Sequence, residues 1–416
     1  MSGLNSHHPL ISQFFQQMDR LGPFEEKPHL GVAVSGGVDS LALTFLLHEW
    51  TRKHNGSLSA FHVDHGLRPE SSSDAYQVKI WLESKGIACF ILKWDHKHPP
   101  VSRIQEKARL ARYQLLESAC AEHNILHLFT AHHAEDQQET YVMRSQHQST
   151  SYGLAGMSAI TYFDHCRLIR PLLSIHKNQL RDFLGTHPHI EDSSNQNIKF
   201  LRVQLRHKET QQVDLLPYQQ ERQKQEQQLA QFFALWVDVA PEGYGSLDFR
   251  CVETTDPVLM QKALGHLIRT IGNGPYLPSP RSIQSLYEKW VNKNFSPTSL
   301  GKCVVYVKNQ KIWVVPDRRL LPPVMTLRTG EFFWSRFIAQ QDLPAGYVIQ
   351  PLVEKGWSQL DTLDKEKFPY PVTLSFPSYW KKNKLISVPF LKTEHSADPT
   401  SFLYSPKNSL LAEFFV

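Results

Sequence analysis

The chain has 416 residues and a formal net charge of +5, with 41% hydrophobic and 20% charged residues. That length asks for two or three domains, and the balance is that of a soluble globular protein with ample core. No run of 18 apolar residues occurs, and Met1 to Asp19 lack a basic stretch followed by an apolar one, so neither a membrane span nor a secretory signal is expected and a cytoplasmic location is. The modest positive charge is compatible with a polyanionic partner without requiring one. The five cysteines are scattered with no CxxC pair, which argues against a disulfide framework, a zinc ribbon or an iron–sulfur site and for small buried hydrophobes.

In chain order, Leu10 to Leu21 reads as a helix, and Leu30 to Val34 is a short apolar run of the kind that makes a buried strand. Ser35-Gly36-Gly37 breaks that run, and Val38-Asp39-Ser40 leads into Leu41 to Leu47, whose apolar face predicts a helix. Further strands are predicted at Leu58 to Val63, Ile87 to Leu92, Ile125 to Ala131 and Cys166 to Ile169. The helices between them are predicted at Ser71 to Lys85, Arg103 to Glu122 (capped by Ser102) and Ala134 to Arg144. This alternation predicts a parallel sheet covered on both faces, with ligands beyond the C-terminal strand ends.

Strand, glycine turn and helix suit a phosphate. Two glycines let backbone N–H groups approach an anion without an intervening Cβ, and the helix N-terminus adds donors and partial positive charge. Ser35 and Ser40 can donate hydroxyls, and Asp39 can orient a magnesium ion or the turn itself. The bland alternative is a glycine turn with Asp39 as an ordinary N-cap. No Gly-Lys-Ser/Thr ending follows, so this is not a Walker A loop. Polar clusters recur at matching places: His62-Val63-Asp64-His65 after the second strand, and Ala131-His132-His133-Ala134-Glu135-Asp136 after the fourth. Between them Glu106, Arg109 and Tyr113 share one helix face, with Arg112 beside them. A zinc site from His132, His133 and Asp136 is disfavoured because adjacent histidines rarely face one ion; Asp136 is instead a magnesium or phosphate-side ligand and His133 a polar contact.

Ser35-Gly36-Gly37-Val38-Asp39-Ser40 resembles the SGGxDS signature of the N-type ATP pyrophosphatases, the PP-loop family. The later clusters, together with Gly153-Leu-Ala-Gly156-Met157, Arg170-Pro171-Leu172-Leu173, Glu191-Asp192-Ser-Ser-Asn195 and Phe200-x-Arg202-x-x-x-Arg206, resemble in order the signatures of the bacterial tRNA(Ile)-lysidine synthetases. The resemblance implies an α/β, parallel-sheet PP-loop ATPase (adenine nucleotide α-hydrolase-like) domain with ATP and Mg2+ as cofactors. It implies ligation of free L-lysine to the wobble cytidine of tRNA(Ile) with a CAU anticodon, through an adenylated cytidine. In that reading Ser35, Gly36, Gly37, Val38 and Ser40 hold pyrophosphate, and His62, Asp64 and His133 complete the nucleotide site. Asp39 and Asp136 direct magnesium, while Glu106 and Asp192 recognise lysine. Arg109, Arg112, Arg202 and Arg206 meet AMP or tRNA, and Arg170 and Asn195 the lysine or tRNA substrate. The chain departs from the pattern at His147-Gln148-Ser149-Thr150, where an Arg-Gly-Ser-Gly is usual, and at Lys177, where an arginine is usual. The Lys177 change keeps the charge and loses the bidentate fork. Another PP-loop enzyme, such as a tRNA thiolase or an amidating synthetase, and a non-catalytic tRNA-binding protein are the alternatives.

Domain boundaries are expected at 1–206 for the ATP domain, 207–320 for a mostly helical linker and middle domain, and 321–416 for a small β-rich region. Val304 to Val307 and Lys311 to Val315 predict a β-hairpin around Lys308-Asn309-Gln310. Lys289, Lys293, Lys302, Lys308, Lys311, Arg318 and Arg319 are candidates for a basic tRNA-facing surface or for an ordinary solvated one.

Overall fold

The computed structural model describes residues 8–67, 69–95, 104–146, 151–191, 213–274, 276–326, 330–341, 347–391, 401–406, 410 and 413–414. The chain divides into two compact units, Met1–Lys224 with Glu413–Val416, and Gln225–Ala412. The division falls inside the helix Leu216–Trp236.

In the first unit, α1 (Pro9–Leu21), β1 (His29–Ala33), α2 (Val38–Lys53), β2 (Ser57–Asp64), α3 (Ser71–Glu83), β3 (Ala88–Lys93) and α4 (Ile104–Glu122) follow the expected alternation. Then come β4 (His127–Phe129), α5 (Ala134–Gln146), α6 (Ser151–Leu154), β5 (Ile160–Tyr162), β6 (Arg167–Ile169) and α7 (Lys177–Leu184). The sheet order is β19-β5-β6-β4-β1-β2-β3, with β19 at Glu413–Phe414. From β6 across to β3 every neighbouring pair is parallel, whereas β5 runs antiparallel to β6 and β19 antiparallel to β5. The predicted parallel sheet is therefore present, with an antiparallel edge added to it.

β1 lies at the middle of the parallel part of this sheet, with Leu30, Gly31 and Val32 buried. Gly31 is needed there: a Cβ would stand 3.0 Å from the Phe61 ring and 3.2 Å from Ile125. α2 is buried around most of its circumference, from Ser40 through Leu47 and again at Trp50 and Thr51, as befits a helix packed on the sheet and covered by α1 and α7. The chain runs from β1 to β2 on one side, then crosses to place β4 on the other. The ends of β1 and β4 thus form a topological switch point, where doubly wound sheets open a crevice.

In the second unit, β7 (Val237–Val239), β8 (Gly245–Asp248), β9 (Thr298–Leu300), β10 (Cys303–Lys308) and β11 (Lys311–Pro316) form an antiparallel sheet in the order β7-β8-β11-β10-β9. The helices Pro257–Gly272 and Pro280–Val291 pack into the same core. Asp256 caps the first of them through the Leu259 N–H at 2.9 Å. The predicted hairpin is β10–β11, turning at Asn309 and Gln310 with φ +53° and +59°, the left-handed pair that a two-residue hairpin turn requires. A four-stranded sheet joins β12 (Met325–Thr326), β15 (Val348–Pro351), β16 (Pro377–Lys381) and β17 (Lys384–Ser387), and a three-stranded one joins β13 (Gly330–Trp334), β14 (Phe337–Gln341) and β18 (Ser401–Tyr404). Among the described residues no helix is long and apolar enough to cross a membrane.

Candidate active site

The turn after β1 is built by its own side chains. Ser40 Oγ donates to the Gly37 carbonyl at 3.0 Å, accepts the Ser35 N–H at 3.1 Å and lies 3.2 Å from Ser35 Oγ. Ser40 is buried and braces the loop, whereas Ser35 is exposed at its tip. Gly36 has φ +88°, and a Cβ there would meet Val78 at 2.6 Å and Ile190 at 2.8 Å; its carbonyl accepts the Ile190 N–H at 2.8 Å. Gly37 is the N-cap of α2 and offers no side-chain cap. Asp39 is therefore not the cap, and the first-turn N–H groups of α2 keep no carboxylate or hydroxyl of their own at the cap position.

Asp39 instead faces the loop after β4. His133 Nε2 stands 3.6 Å from Asp39 Oδ2 and 3.6 Å from Asp136 Oδ2, and His133 Nδ1 lies 2.9 Å from Glu135 Oε2. Asp136 accepts the His133 N–H at 3.0 Å, fixing the first turn of α5. Glu135 also accepts the Lys177 N–H at 3.1 Å and contacts His176 Nδ1 at 3.2 Å, so the start of α7 is tied to the same loop. Lys177 Nζ then lies 3.8 Å from Asp39 Oδ2.

Burial alone would lower the His133 pKa, but the neighbouring carboxylates of Asp39, Glu135 and Asp136 outweigh it and raise it to about 9. Burial would likewise raise Glu135, yet His133 and the backbone N–H groups of Glu135 and Lys177 hold it down at about 2. Asp39 is lowered as well, burial being overcome by His133, Lys177 and Arg181. At neutral pH the crevice holds a buried imidazolium among three carboxylates. His132 turns elsewhere, with Nδ1 3.1 Å from Thr130 Oγ1.

Magnesium fits the acceptors present: Asp39 Oδ1 is buried and has no hydrogen-bond partner, and Asp136 stands beyond the same His133 nitrogen. Among the described residues no group of three or more His, Cys, Asp or Glu side chains forms a cage. Magnesium commonly takes one or two carboxylates and completes its shell with phosphate oxygens and water.

The other expected residues divide. His62 is buried at the end of β2, and burial lowers its pKa. Asp64 accepts from Gly66 N–H at 2.9 Å, Ser71 Oγ at 2.6 Å and Ser72 Oγ at 2.7 Å, pinning the start of α3. On α4, Glu106 and Arg109 are exposed and Arg112 is half-buried. The Arg109 and Arg112 guanidiniums lie 5.0 and 5.6 Å from the Tyr113 ring centre. Arg109, Tyr113, Phe163, Leu168 and Arg170 line a groove of about 390 Å³. Arg170 is buried and donates to Ser158 O at 2.8 Å and Thr161 Oγ1 at 3.0 Å, bracing β5 against β6. Asp192, Asn195, Arg202 and Arg206, and the stretch His147 to Thr150, lie outside the described residues. Of the basic candidates in the second unit, Arg318 pairs with Glu354 and Arg319 with Asp317.

Glu135 and Gln137 were not among the expected site residues. Gln137 is buried, accepts the Met157 N–H at 2.6 Å and donates to its carbonyl at 3.0 Å. A Cβ on Gly156 would reach Gln137 Oε1 at 2.3 Å, and Arg144 Nη1 donates to the Gly153 and Gly156 carbonyls at 2.7 Å each. The Gly153-to-Met157 pattern is thereby the end of α6 and the turn after it, locked onto α5. The signal was present in the residue types, a glutamine and an arginine facing glycines, but their meeting depends on the fold.

A parallel α/β sheet with an uncapped glycine turn and paired acids at its switch point defines a phosphate-binding α/β domain. Residues 8–213 match the PP-loop domain. It is similar to the tRNA(Ile)-lysidine synthase of Orientia tsutsugamushi (strain Boryong), 42% identical over 197 residues that make up 46% of this chain and 44% of that one. It is also similar to the tRNA(Ile)-lysidine synthase of Rickettsia akari (strain Hartford), 39% identical over 181 residues, 43% of this chain and 42% of that one. The chain thus spans less than half the length of the curated relatives it matches. Among solved structures, the U34-tRNA thiolase of Methanococcus maripaludis overlaps 43% of this chain and 65% of its own, at 18% identity and a TM-score of 0.37.

Proposed function

We propose that the protein ligates L-lysine to the wobble cytidine of an isoleucine tRNA with a CAU anticodon, consuming ATP and releasing pyrophosphate and then AMP. The observation that carries this reading is the convergence of Asp39, His133, Asp136 and Lys177 on the glycine turn at the β1/β4 switch point. In the first step the cytidine O2 attacks the α-phosphorus of ATP and pyrophosphate departs. The turn from Ser35 to Ser40 binds the departing pyrophosphate through backbone N–H groups, and Lys177 supplies a cation beside it. Magnesium, held by Asp39 and Asp136, would neutralise phosphate charge. His133 in its charged form orients both carboxylates.

In the second step the lysine ε-amine attacks C2 of the adenylated base, and AMP leaves with the former O2. The amine must shed its proton to attack, and Glu106 and Asp192 are the carboxylates assigned to receive lysine. Arg109, Arg112, Arg202 and Arg206 are assigned to AMP and tRNA phosphates, and Arg170 and Asn195 to the lysine or tRNA substrate. The thiolase alternative is not favoured by the cysteines, all five of which are buried thiols.

Labelled lysine, Mg-ATP and unmodified tRNA(Ile) transcript provide the test, scored after alkali has removed aminoacyl esters. Alkali-stable label with one AMP formed per lysine supports the ligase. Pyrophosphate release without lysine incorporation would redirect the proposal to another nucleophile. Asp39→Ala should abolish turnover while leaving tRNA affinity within about two-fold; loss of affinity with retained turnover would remove Asp39 from the chemistry.

A further inference from the structure

Among the described residues of the second unit, several buried hydrogen-bond donors on neighbouring side chains have no partner. Arg336 is the second residue of the two-residue turn between β13 and β14 and is 1% exposed. Its Nε and Nη2 are buried without a hydrogen-bond partner, and no ion pair to its guanidinium occurs among the described residues. The guanidinium lies 4.8 Å from the Phe337 ring centre. Four further rings pack on the same one: Phe390 at 5.3 Å, Phe402 at 5.8 Å, Tyr404 at 5.9 Å and Trp334, stacked, at 6.3 Å. Trp334 Nε1 and Tyr404 Oη are also buried without partners.

These groups have one chemistry in common. A guanidinium and an indole N–H only donate, and a phenol donates readily. The titratable groups that act on Arg336 are Tyr404 and Cys303, both neutral near pH 7 because burial pushes Tyr404 up to about 12 and the Cys303 thiol above its usual range. Burial lowers Arg336 only to about 10, so it stays charged at neutral pH. An unpaired buried cation is strongly unfavourable, and arginine does not escape by losing its proton at neutral pH. The backbone makes room for it: a Cβ on Gly243, at φ +81°, would stand 2.3 Å from Arg336 Nε and 2.7 Å from Phe337. A water molecule would offer acceptor lone pairs but no charge. A small anion brings acceptors alone, together with the missing charge.

We infer that Arg336, Trp334 and Tyr404 around Phe337 form a binding site for a small inorganic anion, of the halide or phosphate type, that completes the fold of the second unit. The site is separate from the glycine turn, and it stands whether or not the lysidine reading does.

The test is thermal unfolding of the full chain in a buffer whose only anions are bulky organic ones, with chloride or phosphate titrated in at constant ionic strength. The expected result is a saturable rise in Tm for the wild type with at least one of the two. Arg336→Met should lose that dependence and, without added anion, unfold at or above the wild-type temperature, because it removes the unmet charge. Tyr404→Phe should keep the rise but shift its half-saturating concentration several-fold upward, which keeps the inference testable if Arg336→Met does not fold. A Tm indifferent to both anions in the wild type would overturn the inference. So would an Arg336→Met protein equally destabilised at every anion concentration.

Discussion

His133 owes its charge to its setting. A lone buried histidine would be neutral, because burial favours the uncharged ring. Here Asp39, Glu135 and Asp136 reverse that preference and raise its pKa to about 9. A folded-state pKa above the unfolded value stabilises fully below about pH 6.5 and is lost as pH rises through about 9. Glu135, depressed to about 2, contributes above about pH 4.5 and loses its share as pH falls through about 2. The two windows describe one shared interaction, so their energies are not added. His133→Ala, in buffer stripped of divalent ions, should cost on the order of 2–3 kcal/mol in urea unfolding at pH 6 and much less at pH 10. An equal cost at both would mean that the ring acts by packing alone. Asp39 shows how far residue types alone carry the site: its part in the turn was readable, but its meeting with His133 and Lys177 was not.

At the scale of elements, α5 is a clamp as well as a helix. Gln137 satisfies both polar backbone groups of Met157, and leaving a buried donor or acceptor unmet costs about 1–3 kcal/mol each. Gln137→Ala should therefore lower stability by roughly 2–4 kcal/mol and raise amide exchange at Met157, whereas Gln137→Glu should keep the N–H bond and recover part of the loss. Unchanged exchange at Met157 would show that the loop is held by Arg144 alone. The elements most legible in the sequence were those with local causes. β1, the glycine turn and α2 declare themselves through an apolar run, a break and a helical face, and the β10–β11 hairpin through β-branched runs flanking Asn309-Gln310. What stayed hidden had non-local causes. β5 is three residues long and mixes apolar with polar, and its antiparallel neighbour β19 arrives from the far end of the chain. Lys177 drew notice only as a replacement for arginine; its place beside Asp39 follows from Glu135 fastening the start of α7 to the loop after β4.

For the whole molecule, the division into two compact units carries a thermodynamic consequence. The glycine turn, its acids and Lys177 all belong to the first unit, whereas the donor cluster around Phe337 belongs to the second. A ligand that binds only the folded form stabilises it by about 2.7 kcal/mol at one hundred times its Kd. For a unit of this size each kcal/mol raises the midpoint by about 2–4 °C. Calorimetry of the full chain should thus resolve two transitions, with Mg-AMPPNP at saturating concentration moving one by roughly 5–10 °C and leaving the other in place. The unmoved transition should be the one that responds to chloride or phosphate, and Arg336→Met should abolish its response without altering the nucleotide shift. A single transition moved by both ligands would show that the units unfold as one cooperative block, in which case each stabilising contact described above would report on the stability of the entire chain.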